Sequence, residues 1–398
     1  MRSFSLREPT LASPMQSVRA LSLHRALFRF AFAGVNVYAW IFVFQYFFLV
    51  EPDVAHALVR TVLLYALSQT VTCLTTPYAA RLLLSGARRT LILATTVAAS
   101  SFVVLGAAFE GFWGGNYTPA ALVVFACGLG AYRALYWIPY EIEVEATGSG
   151  RRTRFAEFCI ALAPFIGGVF IAAVPFGPIS LLFAGAALIL IAVVPAFYLR
   201  DIQERFTWGY RETFGQLVEP ANRGIVVSTV LEGVSGAGLL LFWPLAIFTI
   251  TGWSYETLGL ILSLTFVMAI LGRPLIRRGL RKVNAPNSTA MNVVLAFTPW
   301  VFRMLVATPL GIIGVDSYFY TTTPRRIGLD PLTFEQTADA GSFVDEYTAL
   351  KEMALSLGRI LICAVGAVCA LLFPLPAAFI AVFLVAALAS TAAVLAPR

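Results

Sequence analysis

Charge is scarce in this sequence of 398 residues: 12% of them are Asp, Glu, Lys or Arg, against about a quarter in ordinary soluble domains. Histidine occurs twice, as His24 and His56, and lysine twice, as Lys282 and Lys351. Two distant histidines argue against the clustered acids and imidazoles that a metal enzyme, or a transferase acting on lipid-linked substrates, gathers near the headgroups; no enzyme is expected. The cysteines Cys73, Cys127, Cys159, Cys363 and Cys369 lie inside apolar runs without ligand spacing and read as small buried side chains. No metal or other cofactor is therefore expected. Residues 1–23 carry Arg2, Arg7 and Arg19 but no apolar core, so they read as a tail and not as a cleaved leader. The net charge of +7 is dispersed between apolar runs, which argues against a nucleic-acid surface.

Apolar side chains are what remains, at 59% of the chain. That surplus needs lipid. A spanning helix takes about 20 mainly apolar residues, because the hydrocarbon layer is about 30 Å thick. Charged and Gly/Pro punctuation divides the chain into runs near 26–50, 57–80, 90–110, 118–140, 155–175 and 178–199, then 224–250, 256–276, 286–303, 305–323, 347–372 and 375–395. The pair around Arg303 also fits one long helix with a re-entrant piece. The expected fold class is all-α: a polytopic membrane protein of about 12 transmembrane helices in two pseudo-symmetric six-helix halves. Its parts are an N-terminal tail (1–25), a first half (26–199), a connector (200–223) and a second half (224–398).

Orientation follows from the basic residues. With twelve spans and the N-terminus inside, 24 of the 28 Lys and Arg residues fall in cytoplasmic segments, as short loops require. Arg60 and Arg303 fall outside, and Arg133 and Arg359 lie within spans. The expectation is a multi-pass protein of the cell inner membrane with both termini cytoplasmic. Trp113 and Tyr117 read as an outer interfacial belt.

Each half has a basic loop after its second span, SGARR at 85–89 and GRPLIRRGLRK at 272–282. These loops resemble the glycine- and arginine-rich loop of the major facilitator superfamily. The second matches at Gly272, Arg277, Gly279 and Arg281, with Ile276 where that family has an acid; the first keeps Gly86, Arg88 and Arg89. The fifth run, Cys159-x-x-x-Ala163-Pro164-x-x-Gly167-Gly168, is similar to the family's glycine–proline motif, common in exchangers, in which small residues bring helices close. Leu129-x-x-x-Arg133 is like the start of its fourth-span motif, with Trp137 replacing a glycine. The stretch 324–346 is longer than the family's usual loop and reads as an insertion or a regulatory flap. The resemblance implies a secondary transporter whose first, fourth, seventh and tenth spans line the substrate path.

Independently of that likeness, Arg133, Glu232, Asp316 and Arg359 sit inside apolar runs, each eight or nine residues from a charged residue taken as its cytoplasmic boundary. The markers are Glu141, Arg223, Arg325 and Lys351. At 1.5 Å per residue all four lie about 12–14 Å deep, with Asn36 nearly level. An intramembrane charge costs about 2.5–3.5 kcal/mol, so two acids and two bases are expected to share one polar cavity. Ser235 shares the Glu232 face, and Tyr136, Trp137 and Tyr140 share that of Arg133. Each ionisable residue also has a structural reading: Arg133 and Arg359 as packing ion pairs, Glu232 as a hydrogen-bonding group instead of a proton-coupling one. Glu141, Glu143 and Glu145 near Arg151, Arg152 and Arg154 read as an interfacial network.

Three functions remain open. The first is a secondary active transporter of a small organic solute, working by alternating access, linked to protons and inclined to export. The second is a uniporter or exchanger of an anionic metabolite held by Arg133 and Arg359. The third is a transport-inactive scaffold or sensor. The expected partners are a small-molecule substrate, protons and the lipid bilayer, with the chain a monomer.

Overall fold

The structure, a computed structural model, describes residues 14–112, 114–147, 154–282, 289–322 and 344–396. The described residues form helices and the turns between them. The long helices are α1 (Pro14–Val50), α2 (Val54–Arg81), α3 (Ala87–Phe109), α4 (Thr118–Thr147), α5 (Arg154–Ala173) and α6 (Gly177–Ala196, interrupted at Ala192) in the first half. The second half holds α7, running as Arg223–Ala237, a π-helical turn Gly238–Phe242 and Trp243–Ile250; α8 (Tyr255–Lys282), α9 (Thr289–Leu305), α10 (Pro309–Thr322), α11 (Val344–Leu372) and α12 (Leu375–Leu395). Ten of these helices are long and apolar enough to cross a bilayer. The exceptions are α9 and α10, at 17 and 14 residues, which form two separate helices and not one long helix with a re-entrant piece.

Several helices outrun their apolar runs at the end of the bundle that carries the connector. α1 starts at Pro14, inside the expected tail, because Leu21, His24 and Phe28 continue its buried stripe at helical spacing. α4 runs on to Thr147 and buries Glu141 and Glu143; α11 starts at Val344 and buries Lys351 and Glu352. The apolar run marks the lipid, whereas the helix ends where packing and hydrogen bonding end. Two of the depth markers, Glu141 and Lys351, are thus buried within the bundle. At the opposite, far end, Asp53 caps α2 by accepting from the Ala55 and His56 N–H groups. The His56 and Ala55 bonds hold its carboxyl below the usual range.

The packing repeats. In the first half α1 lies against α5 and α6, α2 against α4, α3 against α4 and α6, and α5 against α6. Renaming α1–α6 as α7–α12 reproduces the contacts of the second half: α7 with α11 and α12, α8 with α10, α9 with α10 and α12, α11 with α12. The same exchange turns the α2–α11 contact between the halves into the other large one, α5–α8. Two six-helix units related by a pseudo-two-fold axis produce that pattern. Glycine sets the closest approach of α7 to α11: a Cβ on Gly358 would collide with the Val230 carbonyl and with Gly233.

Candidate functional site

The charges expected in one layer divide into two groups. In the first, Arg133 of α4 donates from Nε to Glu352 Oε2 at 2.9 Å and from Nη2 to Oε1 at 3.3 Å, a fork across the junction of the halves. Arg359 of α11 is fully buried and donates from Nη1 to Gln69 Oε1 of α2 at 3.1 Å. Arg359 also interacts electrostatically with Arg133, Glu352 and Tyr65, so these side chains form one cluster. Arg133 lies midway along α4, and Arg359 midway along α11.

Asp316 does not join them. Its Oδ1 accepts from Arg303 Nε (3.0 Å) and Nη2 (2.7 Å), and its Oδ2 from Trp243 Nε1 (2.8 Å). The Arg303 guanidinium lies 4.9 Å from the Trp300 ring centre and 4.5 Å from that of Phe319. Arg303, expected in an outer loop, is instead buried in the last turn of α9, because its long side chain folds back to reach a carboxylate one helix away. This group is contained in α7, α9 and α10.

The other expected residues are dispersed around the first group. Glu232 is half-buried on α7, beside the Gly233 contact to α11, and Ser235 is buried with its hydroxyl bonded to the Leu231 carbonyl. Asn36 is half-buried on α1. Tyr136, Trp137 and Tyr140 are buried in aromatic packing within the first half: Tyr136 stacks on Phe28 at 4.7 Å and on Tyr140 at 5.6 Å, and its hydroxyl lies 3.4 Å from His24 Nε2. Their contacts bind α4 to the early turns of α1.

The halves also meet above and below the charges. At the far end Trp253 stacks on Phe44 and packs on Phe48, and Tyr255 hydrogen-bonds Gln45. The small-residue motif of α5 lies in this contact: Pro164 O accepts from the Tyr38 hydroxyl at 2.5 Å, Gly167 packs on Gly34 and Tyr38, and Gly168 packs on the Tyr255 backbone. At the connector end Phe206 packs among Ala80, Leu83, Ile138 and Ile142 of the first half and Ala349 of the second. Glu346 of α11 accepts there from the Thr207 hydroxyl at 2.6 Å.

The first basic loop acquires its acid from elsewhere in the chain. Asp201, just after the first half, lies 3.5 Å from Arg88 Nη2 and 3.4 Å from Arg89 Nε. Gly86, at φ 115°, leaves room for that carboxylate, which a Cβ would overlap. In the second loop Gly272 touches Thr321, Arg273 Nε donates to the Tyr320 carbonyl at 3.1 Å, and Gly279 faces open space. The side chains of Arg277, Arg281 and Arg154, together with Trp113, Arg151, Arg152, Arg325 and the stretch 324–343, lie outside the described residues.

Sequence reading missed Glu352, Gln69, Arg303 and Asp201. Glu352 was hidden by its neighbour Lys351, which reads as a helix end. A faint signal existed: the ALKEMALSLGR segment keeps helical apolar spacing straight through its charges.

No family model matches the chain, and no curated protein matches it. Solved structures do match. A bacterial homologue of the iron transporter ferroportin, in an inward-facing state, aligns with 96% of this chain and 98% of its own at 15% identity, with a TM-score of 0.65. A structure from work on proton-dependent oligopeptide transporters aligns over 96% of each chain at 12% identity and a TM-score of 0.59. The nucleoside transporter NupG covers 96% of this chain and 97% of its own at 13% identity and 0.57. Likeness at such identities is a likeness of fold. Together with the repeated six-helix packing and the apolar spans, it shows that this polytopic membrane protein has the fold of the major facilitator transporters.

Proposed function

We propose that this protein is a secondary active transporter, working as a monomer in the inner membrane with both termini cytoplasmic. It moves a small organic solute by alternating access, linked to protons. The observation that carries the reading is the Arg133–Glu352 fork, a buried ion pair whose partners belong to different halves. Rocking of one half against the other must break and remake that pair once per cycle. Either a solute that competes for the guanidinium or a proton that neutralises the carboxylate therefore biases the motion. The iron, peptide and nucleoside transporters that share the fold support transport as the activity. The distribution of basic residues supports the orientation.

Proton linkage is assigned to Glu352, with Glu232 as the second candidate. Glu352 is fully covered and its arginine partner belongs to the other half, which is the placement a coupling carboxylate needs. The test is transport in proteoliposomes, using solutes that first raise the melting temperature of the purified protein. Wild type should exchange such a solute faster than protein-free vesicles and accumulate it under a pH gradient. Glu352→Gln should exchange but no longer accumulate. Exchange at the protein-free rate for every stabilising solute contradicts transport; unchanged accumulation in Glu352→Gln contradicts this proton site.

A further inference from the structure

Arg133, Arg303 and Arg359 all carry their charge inside the described bundle, and they are not equivalent. Arg133 and Arg303 each turn the Nε–Nη2 edge of the guanidinium to a carboxylate, Glu352 and Asp316 respectively. That edge presents two parallel N–H bonds and matches a carboxylate's two oxygens. Arg359 is as deeply buried as Arg303, yet its one hydrogen bond among the described residues, from Nη1, goes to the neutral amide oxygen of Gln69. Its Nε is covered and has no partner among the described residues.

Charge balance points the same way. Around Arg359 stand Arg133, Glu352, Tyr65 and Cys363. Two guanidinium groups thus share one carboxylate, and Arg133 already holds that carboxylate by both oxygens. A buried cation without a counter-ion at membrane depth costs several kcal/mol in the absence of a compensating group. A buried donor edge of this kind is disfavoured unless an acceptor visits it.

We infer that the transported solute carries a carboxylate, and that it docks on the free Nε–Nη2 edge of Arg359 as the counter-ion the described residues do not supply. The inference rests on the transport reading. In this structure the Nε is covered, so the solute reaches the edge only when the helices around it draw away from α11. Gln69 holds the guanidinium plane by its other end and leaves the receiving edge in place. Arg133, occupied by Glu352, is not the primary receptor.

The test uses the purified full-length protein and matched pairs of probes: benzoate with benzamide, succinate with succinamide, and chloride as the simple inorganic anion. The expected result is that at least one carboxylate raises the melting temperature of wild type while its amide and chloride do not. Affinity in Arg359→Lys, which keeps the charge but not the fork, should fall about tenfold or more, and Arg359→Gln should show no response. An amide or chloride that stabilises as well as the acid overturns the inference using wild type alone, whatever the variants do. So does acid stabilisation that survives in Arg359→Gln. The two readings separate in proteoliposomes. Exchange of uncharged solutes alone leaves transport standing and removes the carboxylate; carboxylate binding without exchange does the reverse.

Discussion

Two arginine–carboxylate pairs built from the same groups are buried in this bundle, and they differ in what they join. Arg303 and Asp316 belong to adjacent helices of one half, and Trp243 from a third helix of that half takes the remaining carboxylate oxygen. Arg133 and Glu352 join α4 to α11, one helix from each half. Arg303 and Asp316 are both sealed, whereas Arg133 keeps 14% of its side chain accessible while Glu352 is covered. A pair inside one rigid unit contributes to the stability of that unit in every conformation. A pair between two units contributes to one conformation at the expense of another. Location therefore assigns different work to the same chemistry.

The largest expected effect breaks the internal pair. Asp316→Ala leaves the Arg303 guanidinium buried without its carboxylate and should cost about 3–5 kcal/mol, seen as the steepest fall in melting temperature. The double variant Asp316→Leu/Arg303→Met should recover most of that loss. A fall no greater than that of Glu352→Gln would erase the contrast between the pairs.

Next is Gly86→Ala, again inside one half. A φ of 115° and the Asp201 carboxylate oppose a side chain there, so a loss of about 1–3 kcal/mol in thermal stability is expected. The balance between conformations should stay put. A cysteine at Ala349, fully covered at the connector end, reports that balance by its rate of reaction with an impermeant maleimide.

In Glu352→Gln the order reverses. The Ala349→Cys reporter should react about tenfold faster, a shift of about 1.4 kcal/mol between conformations, with a smaller change in melting temperature than Asp316→Ala gives. A reporter rate equal to that of wild type would show that the cross-half pair is ordinary packing. The smallest effect belongs to Asp201→Asn. Its partner Arg89 is 68% exposed, so release of both arginines should cost at most about 1 kcal/mol.

What the sequence made legible follows the same division. Apolar runs and basic loops reveal the twelve helices and their doubling, because lipid and the orientation rule act on composition. Arg133 and Arg359 stand out because a charge in an apolar run has few explanations. Their relation to Asp316 was not legible. Counting residues gives depth along a helix but no azimuth, and helices at one depth still face different neighbours. Glu352 and Arg303 were obscured for a related reason: a charge near the end of an apolar run looks like a boundary until the helix is seen to continue past it. Asp201 supplies the acid absent from its own loop through a contact that spans more than a hundred residues of chain, which no local pattern encodes.

The central claim is that the halves move against each other and that the Arg133–Glu352 pair biases the motion. Distances between spin labels test it most directly, in a background lacking the five native cysteines. One pair of labels, at the exposed positions Ser85 and Arg278, reports the connector end, and another, at Glu110 and Thr308, reports the far end. Glu352→Gln should lengthen the first distance and shorten the second relative to wild type. Unchanged distributions at both ends, or changes of the same sign, would contradict it.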